Sequence, residues 1–320
     1  MKIVIIKQGA LGDIIMATPI IRQIQKHHDN DDIWLLTTPP YEHLFDNWQE
    51  LSIKAFPRKG TINSWRTILW LRKQKFDRLY DLQSNDRTRW LSICSGIPAR
   101  VGNHPHFPYT IHPLESYAGQ FHVFDRLNQI LASAQIEPAQ AQPVLPVTQN
   151  AKAHVNNWLK ENELEDKNLV ILHAGSSIKH PAKRWPYFAE LAQSLDTEGF
   201  EIIWVGSEDD VQLNQVLSEK TGIDATGIFT VPQLVELGHH ACFAVTNDSA
   251  PMHILSCSGI PVFSLFGPTD WRRNHALGQK DRVITLDHAT ERKLCEPDLM
   301  KLENIPPTLV LEKLEQEHLI

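Results

Sequence analysis

The sequence contains few cysteines and no long apolar segment. Its four cysteines among 320 residues stand far apart, and none forms a Cys-x-x-Cys pair. Scattered thiols argue against a disulfide framework and a cysteine-rich zinc site, and they are typical of a reducing compartment. No stretch approaches the ~20 apolar residues that a membrane-spanning helix needs, and the run Ile3–Ile6 is too short for a signal peptide. We therefore expect a cytoplasmic protein, which could still touch a membrane surface.

Two common nucleotide-binding motifs are also missing. The pattern Gly-x-x-x-x-Gly-Lys-Ser/Thr of P-loop proteins does not occur, and the first glycine turn lacks the Gly-x-Gly-x-x-Gly spacing. Thr37 and Thr38 follow the second predicted strand, where a dinucleotide fold would have an acidic residue for the ribose. These absences argue against a P-loop enzyme and leave a nicotinamide oxidoreductase as the weakest alternative.

The sequence offers no convincing metal site. The 16 histidines show no spacing typical of metal ligands. Asp29-Asn30-Asp31 has the Asp-x-Asp form, but it precedes a predicted strand and so lies at the amino edge of the sheet, where a solvated turn is expected. We therefore predict neither a metal nor a bound cofactor.

Positive charge is concentrated in one region. The net charge is −7, yet residues 1–120 hold 15 Lys and Arg against 11 Asp and Glu, whereas residues 121–320 hold 16 against 27. Residues 54–100 alone contain 11 basic and 3 acidic side chains. Such a field attracts an anionic partner, although a solvated surface without a partner gives the same pattern. No feature indicates nucleic-acid binding.

Short apolar strands alternate with amphipathic helices along the chain, which predicts parallel sheets joined by helical crossovers. A Pro-rich linker at Glu137–Thr148 interrupts the alternation, which then restarts. We therefore predict two α/β domains, residues 1–148 and 149–320. The predicted strands are Lys2–Lys7, Ile33–Thr37, Ile53–Phe56, Arg78–Leu82, Leu169–His173, Glu201–Val205, Ala241–Thr246 and Pro261–Phe266. The predicted helices are Asp13–His28, Ile62–Gln74, Arg87–Cys94, Phe121–Ala134, Trp185–Leu195, Val211–Glu219, Val231–His239 and Pro307–Glu315.

Loops with special chemistry follow three of the predicted strands, at the sheet edge where ligands bind in such folds. In Gly9–Asp13 the glycines permit close approach to a ligand, and Asp13 is either a helix N-cap or a base in a cleft. The loop from Ala174 to Lys183 combines small residues with cations, which suits a diphosphate. In Asn247–His253, Ser249 can cap a helix whose free N–H groups favour an anion. Asp210, after another strand, either binds sugar hydroxyls or caps the next helix.

Taken together, these segments resemble glycosyltransferase family 9, the ADP-heptose:lipopolysaccharide heptosyltransferases. The resemblance runs over nearly the whole chain and rests on motifs in a matching order. They are Lys7–Asp13, Asp81-Leu82-Gln83, His173–Ser177, Lys183–Pro186, Asn247–His253 and Phe266–Asp270. It implies a GT-B architecture, in which two Rossmann-like doubly wound domains face a central cleft and the final helix packs back on the first domain. It also implies an inverting, metal-independent transfer of heptose to the inner core of lipopolysaccharide at the inner face of the inner membrane.

The resemblance also implies roles for individual residues. Asp13 looks like the general base, and Lys183 looks like the cation that steadies the departing diphosphate. The positions expected to bind the donor are Gly12, Ser176, Ser177, Asp210, Asp248, Ser249, Ala250 and His253. The basic side chains expected to meet the anionic acceptor are Arg58, Lys59, Arg87 and Arg89.

Two positions depart from the family pattern. Ala250 stands where the family usually has glycine, and Trp271 stands where it often has proline. Because glycine permits a closer backbone approach, Ala250 bears on the identity of the donor. Neither departure removes the expected base or cation. The alternatives are a GT-B transferase or epimerase that uses another nucleotide sugar, and a non-catalytic glycolipid-binding relative.

Overall fold

The computed structural model describes residues 1–115, 122–177, 180–288 and 297–320. Ile178 and Lys179 of the cation-bearing loop, Phe121 at the start of a predicted helix, and Cys295 lie outside the described residues. The chain divides into two compact units, Met1–Pro146 and Val147–Ile320, so the division falls within the Pro-rich linker. Within the described part of the chain, no helix is both long enough and apolar enough to span a bilayer.

Unit 1 is a parallel five-stranded sheet in the order β3-β2-β1-β4-β5. The side chains of Ile3–Ile6 in the central strand are fully buried, as expected for a parallel strand covered on both faces. Its strands are β1 (Lys2–Ile6), β2 (Asp32–Thr37), β3 (Ser52–Ala55), β4 (Arg78–Asp81) and β5 (Ala99–Val101). Its helices are α1 (Leu11–His27), α2 (Thr61–Gln74), α3 (Asp86–Ser95) and α4 (Val123–Ser133), with a 3-10 helix at Pro39–Phe45.

Unit 2 is a parallel six-stranded sheet in the order β11-β10-β9-β6-β7-β8. Strands β6 and β9 lie side by side at its centre, with Leu172 opposite Val245 and His173 opposite Thr246. Its strands are β6 (Leu169–His173), β7 (Glu201–Trp204), β8 (Ile223–Asp224), β9 (Ala241–Asn247), β10 (Val262–Leu265) and β11 (Val283–Ile284). Its helices are α5 (Gln149–Glu161), α6 (Phe188–Thr197), α7 (Val211–Ser218), α8 (Val231–His239), α9 (Ala250–Ser256), α10 (Trp271–Asn274) and α11 (Pro307–Gln316).

The α/β class and the Rossmann-like units are confirmed, whereas several boundaries differ. Strands β5, β8 and β11 were not predicted because each has only two or three residues. Helix α5 was also missed. Its sequence is mostly polar, and only a narrow stripe of Ala151, Val155 and Leu159 is buried. The helix predicted from Trp185 begins at Phe188. The Trp185 backbone N–H donates to the Asn247 side chain.

The final helix contributes to the core of unit 2, and its packing on the first domain stays a prediction. Helix α11 packs on α6, and its Val310 and Leu314 are fully buried in the apolar core of unit 2. The Trp185 indole strengthens this arrangement by donating to the Ile305 carbonyl at 2.8 Å. The apolar stripe of α11 is therefore used within its own unit.

Candidate functional site

A cavity of about 320 Å³ lies in unit 2, at the carboxyl ends of β6, β7 and β9. This is the edge of a doubly wound sheet at which ligands bind. The cavity is lined by His173, Ser176, Ser177, His180, Lys183, Ser207, Asp209, Asp210, Asp248, Ser249, Ala250 and Pro251. It therefore brings together most of the predicted donor-binding residues of this unit with Lys183.

Asn247, at the end of β9, holds the loops of the cavity in place. Its side-chain amide is fully buried and donates to the carbonyls of Ala174 at 2.8 Å and Gly175 at 3.1 Å. Its oxygen accepts a hydrogen bond from the Trp185 backbone N–H at 3.1 Å. One residue thus ties the loop after β6 and the approach to α6 to the end of β9.

Lys183 and Asp248 form an ion pair in the cavity. The Lys183 ammonium donates to Asp248 Oδ2 at 2.6 Å, and the Thr269 hydroxyl donates to the same oxygen at 2.6 Å. The lysine side chain is 22% exposed and that of the aspartate 10%. A charged group this accessible at the wall of a cavity can meet an anionic ligand, so this pair is suited to a phosphate group. Thr269 was not singled out from the sequence, because its contact with Asp248 arises only in three dimensions.

Asp210 lies deeper in the same cavity. Its Oδ2 accepts hydrogen bonds from the Ser207 backbone N–H at 3.0 Å and from the Ser207 hydroxyl at 3.1 Å. The Arg184 guanidinium lies 3.7 Å from its other oxygen. Asp210 precedes α7, but its carboxylate makes no capping bond to that helix. Its bond to the Ser207 N–H instead forms a capping box at the start of the 3-10 helix Glu208–Asp210, which leads into α7. Asp210 thus caps a helix start and also lines the cavity.

Glycine at position 175 makes room for this carboxylate. A Cβ atom on Gly175 would lie 2.2 Å from Asp210 Oδ1, a distance that no stable contact allows. The absence of a side chain at position 175 therefore lets the loop after β6 pass directly over the acid.

His173 is a buried neutral imidazole in the cavity wall. Its Nδ1 lies 3.0 Å from the Ser249 hydroxyl, and its Nε2 lies 3.9 Å from Asp210 Oδ2. Burial lowers the pKa of His173 to about 4, although the charge of Asp210 opposes this effect and that of Arg184 adds to it. At neutral pH the ring is therefore uncharged and can exchange a hydrogen bond with Ser249.

Helix α9 begins as predicted, but its first residues act differently. Ser249 has the extended backbone of an N-cap, yet its hydroxyl makes no capping bond and contacts His173 instead. Ala250 and Pro251 occupy the first turn and line the cavity. His253 is buried in the helix and is not one of the residues that line the cavity, and its contact with the donor stays a prediction.

Asp13 belongs to unit 1, where it lies in the first turn of α1 and not at the N-cap. The N-cap is Ala10, whose backbone N–H donates to Asp13 Oδ2 at 3.1 Å. The side chain of Asp13 is partly exposed. Gly12 lies in the same turn and therefore belongs to unit 1.

Lys7 and Asp81 are buried at the carboxyl ends of β1 and β4, close to this turn. Burial lowers the pKa of Lys7, and the carboxylates of Asp13 and Asp81 oppose that effect. Burial raises the pKa of Asp81, which accepts a hydrogen bond from the Tyr109 hydroxyl at 2.6 Å. The sequence places Lys7 and Asp81 within quoted motifs, but their burial and mutual influence follow only from the parallel pairing of β1 with β4.

The predicted acceptor-binding cations occupy different environments in unit 1. Arg58 and Lys59 are exposed, and Arg89 lies 3.5 Å from Asp86. Arg87 is half-buried and donates to the Gln8 side chain beside the Gly9–Asp13 turn. Burial and then the charge of Arg58 lower the pKa of Arg87, so those two cations lie close enough to influence one another.

Within the described ranges, no group of three or more His, Cys, Asp or Glu side chains is placed to hold a metal ion. Asp29, Asn30 and Asp31 lie in the turn before β2, as the sequence predicts, and the Asn30 amide donates to Asp29 at 2.8 Å. Asp31 accepts a hydrogen bond from the His28 ring. The two carboxylates of this turn are therefore engaged by neighbouring side chains.

Comparison with known proteins identifies one family. Residues 65–303, which span parts of both units, match the sequence profile of glycosyltransferase family 9 (heptosyltransferase). Lipopolysaccharide heptosyltransferase 2 of Escherichia coli is 27% identical over 345 aligned positions, covering 98% of this chain and 97% of that protein.

Solved structures show the same fold. A glycosyl transferase family 9 protein from Veillonella parvula aligns with a TM-score of 0.84 at 22% identity, covering 98% of this chain and 96% of its own. The E. coli ADP-heptose LPS heptosyltransferase II aligns with a TM-score of 0.77 at 23% identity, covering 99% and 100%. The match to these two structures confirms the predicted GT-B class.

Proposed function

Because this chain belongs to glycosyltransferase family 9, we propose that it transfers a heptose from ADP-heptose to the inner core of lipopolysaccharide. The full-length similarity to a lipopolysaccharide heptosyltransferase supports this acceptor class. The name of the E. coli structural relative, an ADP-heptose LPS heptosyltransferase, supports this donor. The observation that carries the proposal is the Lys183–Asp248 pair in the wall of the unit 2 cavity, where a nucleotide diphosphate would need a cation.

The cavity of unit 2 has the chemistry that a sugar nucleotide requires. Lys183 can neutralise a diphosphate, and the Asp210 carboxylate can accept hydrogen bonds from hydroxyl groups. Ser176, Ser177 and Ser249 add short hydroxyl side chains to its wall. We assign the donor site to this cavity.

The transfer follows a single in-line displacement. An acceptor hydroxyl attacks the anomeric carbon while Asp13 takes its proton, and the bond from that carbon to the diphosphate oxygen breaks. Because attack comes from the face opposite the leaving group, the anomeric configuration inverts. The electron pair of the broken bond leaves with ADP, whose charge Lys183 offsets.

We assign the neutralisation of the departing diphosphate to side chains instead of a metal ion. Lys183 carries the larger share, because α9 has only seven residues and contributes little more than the free N–H groups of its first turn. Chelation by EDTA is therefore expected to leave turnover unchanged, and a loss of activity that added Mg²⁺ restores would contradict this part of the proposal.

The anionic groups of the acceptor are assigned to the cations of unit 1, namely Arg58, Lys59, Arg87 and Arg89. Their position in the region of positive charge agrees with an acceptor that carries phosphates and carboxylates. The reaction is assigned to the inner face of the inner membrane, where such an acceptor would be anchored.

The proposal is tested by incubating the purified protein with ADP-heptose and a panel of truncated core acceptors, then measuring product mass and released ADP. We expect one acceptor to gain one heptose. Parallel reactions with UDP- and GDP-sugars address the alternative donor, because turnover with those donors alone would contradict the ADP-heptose assignment. Failure to form product from any donor would favour a non-catalytic binder.

The role of Asp13 is tested by Asp13→Asn. The amide oxygen can still accept from Ala10, so the helix start is retained, but it cannot take the proton. We expect turnover to fall about 10²- to 10⁴-fold with donor binding unchanged. Asp29→Asn, the same substitution at an exposed position of unit 1, serves as the control and keeps full activity. Equal turnover of Asp13→Asn and wild type would refute the assignment of the base.

A further inference from the structure

Helices α2 and α3 expose a cluster of large apolar side chains that the proposed reaction does not use. We define it as the α2–α3 apolar face, made of Ile62, Trp65 and Leu69 from α2 with Trp90 and Ile93 from α3. Ile62 is 68% exposed and Leu69 63% exposed. Single exposed hydrophobic residues are ordinary, but a contiguous patch that includes two tryptophans marks an interaction surface.

The spacing of apolar residues along α2 forms its part of the face. Ile62, Trp65 and Leu69 follow the i, i+3, i+7 spacing that places side chains on one side of a helix. The opposite side of α2 supplies Ile68 and Leu71 to the core of unit 1. Helix α2 is thus apolar on two sides, and its outer side contributes nothing to that core.

The two helices present one joint surface. They pack against each other, and the Arg72 side chain of α2 donates to the Cys94 carbonyl at the end of α3 at 2.8 Å. The rings of Trp65 and Trp90 meet edge to face with their centroids 6.0 Å apart. Both tryptophans remain exposed, so their contact leaves a platform and not a closed core.

The two helices that form this platform also carry positive charge. Helix α2 contains three basic residues, Arg66, Arg72 and Lys73, and no acidic one, and all three are exposed. Helix α3 adds Arg87 and Arg89, with Asp86 at its first position as its one acidic residue. Whatever covers the face must therefore accept tryptophan and aliphatic side chains at its centre and supply negative charge at its rim.

We propose that the α2–α3 apolar face docks on a lipid surface that carries anionic headgroups. Tryptophan and aliphatic side chains insert at the boundary between headgroups and acyl chains, while lysine and arginine bind the phosphates around them. A second copy of this face is a poorer partner, because it would bring two basic rims together. Docking on lipid does not depend on the proposed transfer, although it would bring the protein close to a lipid-borne acceptor.

The test measures sedimentation of the full chain with lipid vesicles. Vesicles of phosphatidylcholine alone are compared with vesicles of phosphatidylcholine and phosphatidylglycerol, at low and high salt. We expect binding to the anionic vesicles that weakens with salt. The double variant Trp65→Ser/Leu69→Ser should partition about tenfold more weakly, and Arg66→Glu/Lys73→Glu should lose a similar factor.

A matched control is available in unit 2. Val211 and Val216 on α7 are 44% and 55% exposed, and the double variant Val211→Ser/Val216→Ser should bind vesicles like wild type. Thermal unfolding of each variant checks that the fold is kept, and none of the substituted residues belongs to the proposed catalytic or binding machinery.

Three results would overturn the proposal. The first is an absence of vesicle binding by the wild-type chain. The second is equal binding by Trp65→Ser/Leu69→Ser and wild type. The third is a dimer, detected by sedimentation velocity, that these substitutions dissociate while vesicle binding is unchanged, which would assign the face to a second copy. Since vesicle binding is measured without donor or acceptor, a failure of the proposed transfer reaction would leave this result standing.

Discussion

At the scale of single residues, two ionisable groups of the unit 2 cavity differ in burial and in protonation state. Lys183 has a carboxylate at 2.6 Å and remains partly exposed, so it is both oriented and accessible. His173 is buried and is kept neutral by the loss of solvation. Lys183 is therefore suited to binding a charged ligand, whereas His173 is suited to forming the wall of the cavity.

Replacing Lys183 by methionine tests the charge of that position while keeping its length. We expect kcat/KM for the sugar nucleotide to fall about 100-fold, because the charge that develops on the diphosphate is no longer offset. Steady-state kinetics with the donor varied measures this. Lys152→Met, at an exposed position of α5, is the control that should behave as wild type. Unchanged kcat/KM in Lys183→Met would remove the lysine from the proposed mechanism.

Buried His173 predicts a pH dependence of stability. Its pKa is about 4 in the folded protein and about 6.5 in the unfolded chain, so the unfolded chain binds an extra proton between these values. Its contribution to the free energy of unfolding is therefore fully present above pH ~6.5 and is lost as the pH falls towards 4, by up to ~1.4 kcal/mol per pH unit.

Urea unfolding at several pH values between 4 and 7 measures this contribution. The variant His173→Gln should show a flatter dependence on pH over that range than wild type. His43→Gln, at a histidine side chain that is 85% exposed, should retain the wild-type dependence. Parallel curves for His173→Gln and wild type would show that the imidazole is not held neutral.

At the scale of elements, the sequence predicted the bounds of those strands and helices that periodicity and turn residues determine. Strand β6 and helix α8 have the predicted bounds, because a continuous apolar run and a Thr-Val-Pro start are unambiguous locally. The loops after β6 and β9 were correctly placed at the carboxyl ends of their strands. The bond from Thr269 to Asp248 and the burial of Lys7 could not be predicted, because both depend on which strands pair across the sheet.

The side chain of Asn247 joins neighbouring elements through three buried hydrogen bonds. The variant Asn247→Ala leaves the Trp185 N–H and the carbonyls of Ala174 and Gly175 without a buried partner, and we expect the free energy of unfolding to fall by about 3 kcal/mol. The urea midpoint measures the loss. Asn30→Ala, which removes one exposed hydrogen bond, is the control and should change stability by less than about 0.5 kcal/mol.

At the scale of the whole molecule, each of the two units has its own sheet and its own apolar core. The core of unit 1 contains Val4, Ile6 and Leu79, whereas that of unit 2 extends from Val170 to Leu314. The sequence predicted this division from a change in composition alone, since prolines in the linker interrupt an otherwise regular alternation. It did not predict that α11 would complete the core of its own unit.

A fragment that contains residues 147–320 should therefore fold by itself. It keeps Thr148, whose hydroxyl accepts a hydrogen bond from the Ala151 N–H at the start of α5 at 3.0 Å. We expect a single cooperative thermal transition, and ADP should raise its midpoint if this unit holds the donor site. Circular dichroism measures both, with the full chain as the reference. A broad, non-cooperative transition would show that unit 2 depends on unit 1.

The ion pair between Lys183 and Asp248 has a consequence for how quickly the protein can release what it binds. An anion that takes the ammonium must compete with a carboxylate already 2.6 Å away, so entry is less favourable than at a lone lysine. On departure, the same carboxylate recaptures the lysine and no unpaired charge is left behind. The pair thus lowers the affinity for a bound anion and eases its dissociation. This favours repeated turnover over a long residence time.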